Sequence, residues 1–235
     1  MRSVNNYRMT TTPAPTGPQM SIPMPTVEPS GVRPVGSLRY PARSLVLLGG
    51  VPGAGKSTLL NRLYGLDGSE ADTVLTDDGV RIIDSQQSRN RLTPWLCWVP
   101  YPAWRWVVHL LHYLRLVLAL RAGDPVIVHE AGTRGPIRRL LGWYCRTLGI
   151  GVHLLLIDVS PDEALRGQKA RGRWVSARSH RAHARRWGRL LTALAERPAA
   201  VAPGSVSLVL MDRERVGRLS GIEFTPVPFG AARRQ

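Results

Sequence analysis

The run Leu45-Val46-Leu47-Leu48-Gly49-Gly50-Val51-Pro52-Gly53-Ala54-Gly55-Lys56-Ser57-Thr58-Leu59-Leu60 constrains this chain more than any other stretch. Its apolar start reads as a buried strand, its glycines as a loop, and Ser57 onward as a helix. Gly50, Gly55, Lys56 and Ser57 satisfy G-x-x-x-x-G-K-[ST], the P-loop pattern. Glycines let successive backbone N–H groups point into one concavity, which lies at a helix N-terminus where the helix dipole favours anions. The phosphates of ATP are therefore assigned to Gly50, Val51, Pro52, Gly53, Ala54, Gly55, Lys56, Ser57 and Thr58. Lys56 is expected to reach the β- and γ-phosphates, and the Ser57 hydroxyl to ligate Mg2+. A dinucleotide loop of the form G-x-G-x-x-G fits worse, because starting it at Gly53 requires glycine where Thr58 stands.

A chain of 235 residues accommodates one ordinary domain and a tail. The formal net charge is +16, and nearly all of the positive charge is arginine, since Lys56 and Lys169 are the only lysines. A lysine kept inside the loop stands out against that background. The positive field draws polyanions and admits nucleic acid as a partner. Cys97 and Cys145 lie far apart without metal-ligand spacing, which fits a reduced, cytoplasmic protein. The stretch from Trp104 to Leu120 is interrupted by Arg105, His109, His112 and Arg115. It is too short and too charged to span a bilayer, and no membrane partner is expected.

Residues 1–41 are rich in Pro, Thr, Ser and Gly and read as a disordered tail. Residues 42–221 read as one domain with a helical insertion at 94–121 and an Arg-rich lid at 166–178; 222–235 reads as a loose basic end. Strands are expected at 44–49, 72–76, 126–128, 152–159 and 205–211. Helices are expected at 56–65, 79–91, 103–121, 135–148 and 179–197, with a further one starting near Asp212. One more follows Ser160 as cap, with Pro161 at its first position and Glu163 completing a capping box. Apolar strands alternating with helices imply an α/β, three-layer fold with an about five-stranded parallel sheet. Ligands of such sheets bind at the carboxyl ends of the strands. On this reading those ends carry Gly50–Lys56, Asp77 with Asp78, and Glu130.

Asp78 is the candidate general base for an acceptor hydroxyl, with Arg81 three residues on to hold the acceptor; the bland alternative is that Asp77 or Asp78 caps a helix. Glu130 is a candidate to orient Mg2+, and His129 beside it reads as structural. Arg171 and Arg173 are the lid arginines expected to reach the transferring phosphoryl group. Arg134 is a weaker contact to acceptor or phosphate, and Arg213, after the fifth strand, is placed against the adenine. In the long helix, Val107, Leu110, Leu111, Leu114 and Leu118 form one stripe and Arg105, His109 and His112 another. The second stripe, with Trp95, Trp98, Tyr101 and Trp104, reads either as an acceptor pocket or as ordinary helix packing.

Gly50 through Thr58, Thr76-Asp77-Asp78-Gly79-Val80-Arg81 and the basic stretch Arg166 to Arg173 together resemble the small ATP-dependent P-loop kinases around polynucleotide kinase, zeta toxin and chloramphenicol phosphotransferase. Such chains also go under the wider heading of AAA-family ATPases. The resemblance spans about residues 44–215. It implies a five-stranded core, Mg-ATP, and phosphoryl transfer to a hydroxyl of a small molecule or a nucleic-acid end, with Asp78 as base and Arg81 on the acceptor. The competing readings are an ATP-binding or ATP-hydrolysing regulatory protein and a plain nucleic-acid binder.

Overall fold

The computed structural model describes residues 36–129, 135–169, 177–197 and 204–225. In chain order the elements are β1 (Ser37–Pro41), β2 (Ser44–Gly50), α1 (Lys56–Tyr64), β3 (Val74–Leu75), β4 (Arg81–Asp84), α2 (Ser85–Leu96), α3 (Tyr101–Ala122) and β5 (Val126–His129). They continue with α4 (Gly135–Thr147), β6 (Gly151–Ile157), α5 (Pro161–Lys169), α6 (Ala177–Glu196), β7 (Ser205–Met211), α7 (Arg213–Arg218) and β8 (Gly221–Thr225).

The main sheet has the order β3-β4-β5-β2-β6-β7, with every pairing parallel except the two-residue β3. Helices flank it, as the alternating pattern requires. β2 lies in the middle and is buried along its whole length; Leu45, Leu48, Ile82, Ile127, Leu155 and Ile157 are among the fully buried side chains. The P-loop strand therefore cannot shift without disturbing the centre of the core. Its carboxyl end, and those of β4, β5, β6 and β7, face one edge of the sheet.

Two expectations are corrected. The second strand of the parallel sheet is Arg81–Asp84, not 72–76. Val74–Leu75 makes only a short antiparallel hairpin with it, closed by Gly79 N–H donating to the Thr76 carbonyl at 2.9 Å with Gly79 at φ +76°. Both segments carry apolar residues, and only pairing with β5 decides which one joins the core. The helix expected at 79–91 consequently begins at Ser85. The other correction concerns the two ends. Ser37–Pro41 and Gly221–Thr225 are not loose: they pair in parallel as a separate two-stranded sheet, closed by the exposed Arg39–Glu223 ion pair. Neither segment shows its partner locally, since they stand at opposite ends of the chain. Residues 1–35 and 226–235 lie outside the described residues.

His153 of β6 is buried between two hydroxyls, with Ser44 Oγ at 3.1 Å from its Nε2 and Ser207 Oγ at 2.8 Å from its Nδ1. Burial pushes its pKa down to about 4, and burial does the same to His112 of α3, where the nearby Asp84 only partly offsets it. Both rings are neutral when folded, while the unfolded chain binds their protons below about pH 6.5. Stability is thus complete above that pH and is lost as pH falls toward 4, by up to about 3 kcal/mol per ring. Urea unfolding at pH 7, 6 and 5 is expected to show this fall, and His153→Gln to remove about half of it. An unchanged slope in the variant would mean that His153 is not the group that resists protonation.

Candidate functional site

The loop after β2 has the geometry that its glycines predict. Gly50, Gly53 and Gly55 take φ of +155°, +93° and +105°. Gly53 touches α5 so closely that a Cβ there would stand 2.1 Å from the Ala164 carbonyl oxygen, and a Cβ on Gly167 would meet the Gly53 carbonyl at 2.5 Å. α5 is set in place by the capping box expected from the sequence: Glu163 N–H donates to Ser160 Oγ, and Ser160 N–H to Glu163 Oε2. Gln168 of α5 is buried and donates to the Pro52 carbonyl at 2.6 Å. Arg213, the first residue of α7, donates to the Gly53 carbonyl at 3.2 Å. The loop is thus clamped from behind by α5 and Arg213. Gln168 is a support that the sequence reading missed; no local pattern marks it.

Lys56 is buried, and its Nζ donates to the Gly50 carbonyl at 2.7 Å and the Val51 carbonyl at 3.0 Å. A buried ammonium needs such partners. Its charge lies at the mouth of the loop, beside the N-terminus of α1, where Ser57 follows. α6 lies nearby: His183 has its pKa lowered by burial and by the positive groups Arg186, His180 and Lys56. Its Nδ1 is buried with no hydrogen-bond partner among the described residues. A cavity of about 640 Å³ opens beside the loop, lined by Val51, Asp158, His183, Trp187, Asp212 and Arg213 among others. Trp187 is fixed there by its Nε1–H donating to Asp158 Oδ1 at 2.8 Å.

Asp78 and Arg81 are not at this edge. Asp77 and Asp78 occupy the exposed hairpin turn before β4, and Asp78 lies near Tyr64 at the far end of α1, where burial and the Asp78 charge raise the tyrosine pKa. Arg81 opens β4 and pairs with Asp124 at 2.6 Å, just before β5 begins. All of this is the amino edge, a strand's length from the loop, so neither residue can serve as base or acceptor contact there. The strand-end carboxylate is Asp84. It stands opposite His129 in the sheet, and His129 stands opposite Leu48 of β2. Asp84 is therefore level with Leu48, two strands away and two residues before the P-loop opens at Gly50.

Asp84 has two tasks. It caps α2, with Oδ1 accepting from Gln86 N–H at 2.9 Å and Gln87 completing the box through the Asp84 N–H at 3.0 Å. Its Oδ2 pairs with His129 Nδ1. Burial pushes the carboxyl up, but His129 and the hydrogen bonds outweigh it and hold the pKa at about 2. Asp84 thus stays a carboxylate, and it fixes the His129 ring so that Nε2 is the nitrogen left for other work. The sequence reading passed over Asp84 and took His129 as structural, although Ile82-Ile83-Asp84 followed by Gln87 carries the signature of a strand running into a capped helix.

The acceptor-pocket reading of α3 is also corrected. Trp104, Val108, His112, Leu116 and Leu120 face the core, whereas Leu110, Leu114 and Leu118 are exposed. Trp95 and Trp98 are largely exposed as well. The expected pocket does not form; helix packing describes His112 and Trp104. Glu130, Arg134, Arg171 and Arg173 lie outside the described residues.

The family model for the AAA domain matches residues 45–196. The chain belongs to the AAA domain family. The matched span runs from the P-loop strand through α6, and so contains the loop, Asp84, His129 and the α5 clamp. None of the curated proteins matches the chain. Among solved structures, one of the PezAT chromosomal toxin-antitoxin system of Streptococcus pneumoniae is similar at 16% identity and TM-score 0.51, covering 76% of this chain and 72% of that one. A structure of the Pnkp1/Rnl/Hen1 RNA repair complex gives 15% identity and TM-score 0.48, covering 64% and 45%. A gluconokinase from Sinorhizobium meliloti gives 15% identity and TM-score 0.39, covering 76% and 90%. At these identities the first likeness speaks for the fold, a P-loop α/β sheet with helices on both faces.

Proposed function

We propose that this AAA domain protein is a kinase that transfers the γ-phosphate of Mg-ATP to a hydroxyl of a small molecule or a nucleic-acid end. The observation that carries this reading is the placement of the Asp84–His129 pair at the same sheet edge as the P-loop. A protein that only bound nucleotide would not need a base there. His129 Nε2 takes the proton of the acceptor hydroxyl, and Nδ1–H remains on Asp84. The freed oxygen attacks the γ-phosphorus in line, and ADP leaves. Lys56 holds the β- and γ-phosphates. The base and ribose are assigned to the 640 Å³ cavity beside the loop, which Arg213 lines.

The donor set suits Mg2+. No group of three His, Cys, Asp or Glu that would cage a metal stands among the described residues. Mg2+ characteristically takes a hydroxyl, phosphate oxygens and water instead. Ser57 would hold it, as the sequence reading also assigned to Glu130, and when bound it would supply charge neutralisation on the phosphates. The arginine-rich surface favours anionic acceptors.

Following the label of γ-labelled Mg-ATP with small alcohols and 5′-hydroxyl oligonucleotides tests the reading. Wild type is expected to label an acceptor, and Lys56→Ala to lose at least about 10²-fold in transfer while the fold, checked by circular dichroism, persists. Label released only as free phosphate would favour the ATP-hydrolysing regulatory protein instead.

A further inference from the structure

α3 is apolar on two opposite sides. One ridge, Trp104, Val108, Leu116 and Leu120 with His112, is buried against the sheet. The ridge two residues out of step, Trp106, Leu110, Leu114 and Leu118, lies on the other side, and each of these is more than half exposed. Residues spaced by four form one continuous, slightly inclined row on a helix, and 106 to 118 spans about 18 Å. α4 is tied to the C-terminal end of α3 by Arg121 Nε–H donating to the Tyr144 hydroxyl at 2.9 Å, and adds the exposed Leu140 and Trp143. Trp95 and Trp98, at 79% and 81% exposure, extend the surface at the turn between α2 and α3. A helix with apolar residues all round is ordinarily buried all round, so this face lacks its cover.

The charge around the face indicates the cover. Between Ser85 and Gly123 there is no Asp or Glu, and none between Gly135 and Thr147. The exposed charges of these two helices are Arg105 and Arg121 on α3, and Arg139 and Arg146 on α4; the one carboxylate that an ion pair brings to α3 among the described residues, Asp72, is paired with Arg115 and Arg91. A second copy docked about a two-fold axis would set these arginines against their own copies. A surface that is apolar below and anionic at the rim matches both features, and tryptophan favours that kind of boundary. We propose that the outer face of α3, continued by α4 and by Trp95 and Trp98, seats this protein on the surface of an anionic lipid bilayer. The expectation of no membrane partner rested on spanning alone. No helix among the described residues is long and apolar enough to cross a membrane. Lying in the interface requires only one face.

The test is sedimentation of the full chain with phosphatidylcholine vesicles, with and without phosphatidylglycerol, at about 0.1 M salt. Wild type is expected to bind the anionic vesicles, with a blue shift of tryptophan emission, and to bind pure phosphatidylcholine much less. The neutral triple variant Leu110→Ser/Leu114→Ser/Leu118→Ser is expected to bind at least about tenfold more weakly. These side chains are more than half exposed, so its thermal melt should stay within a few degrees of wild type; Trp106→Ser/Trp143→Ser provides a second variant with the same expected loss. Binding that both variants retain would mean adsorption by net charge alone and would overturn the proposal. So would a wild type that ignores anionic vesicles, or a wild-type dimer that the triple variant dissociates, which would assign the face to a second copy.

Discussion

Asp84→Asn is expected to lower phosphoryl transfer by about 10²–10⁴-fold, while Asp78→Asn leaves it unchanged. The asparagine preserves the shape of the side chain and caps a helix about as well as aspartate, so α2 should persist, checked by circular dichroism, while loss of the charged pair with His129 lowers the melting temperature by a few degrees. What changes is the partner of His129. A carboxylate accepts the proton of Nδ1–H and leaves Nε2 as the basic nitrogen, whereas an amide N–H directed at Nδ1 favours the opposite tautomer and occupies the base. Asp84 is a positioning residue in this account, so its signature is a change in the pH–rate profile of kcat together with a fall in kcat at little cost in KM for ATP. His129→Gln should lose as much. If His129→Gln were fully active while Asp84→Asn was not, the carboxylate would be acting without the ring and the base assignment would be wrong. If Asp78→Asn were the inactive variant, the hairpin turn would have to belong to the site, contrary to its position at the amino edge.

The second large effect concerns the loop itself. Gly53→Ala places a methyl group 2.1 Å from the Ala164 carbonyl oxygen, at a φ of +93° that side chains rarely adopt. Helix backbone cannot yield as a flexible side chain would, so the loop and α5 must part. Strain and lost packing together should cost more than about 2 kcal/mol, seen as a melting temperature lower by several degrees and Mg-ATP binding weaker by at least about tenfold. Gly55→Ala is the control. Its φ is +105°, but nothing stands within 4 Å of the added methyl, so only the backbone cost of about 1–2 kcal/mol applies. Equal loss of the two variants in thermal unfolding would show that the contact with α5 is not what shapes the loop.

The P-loop was legible because all of its information is local: an apolar strand, glycines where φ must be positive, a lysine and a hydroxyl at a helix start lie within one short run. The cap of α5 was legible for the same reason, since Ser160 and Glu163 satisfy each other across three residues. The alternation of strands and helices was enough for the α/β class, because a βαβ unit writes its period into the sequence. Tertiary structure decided the rest. Val74-Leu75 and Ile82-Ile83 are equivalent as short apolar pairs, and only the register with β5 puts Asp84 rather than Asp78 at the carboxyl edge. Both sides of α3 are apolar, so periodicity alone could not tell the buried ridge from the exposed one; the sheet chose the side that carries His112. The ends looked loose because β1 and β8 pair across nearly the whole chain, and a hydrogen-bonded partner at that separation leaves no mark on either segment alone. Local chemistry therefore announced the P-loop, while the Asp84–His129 pair at the same sheet edge exists only once three strands have been laid side by side.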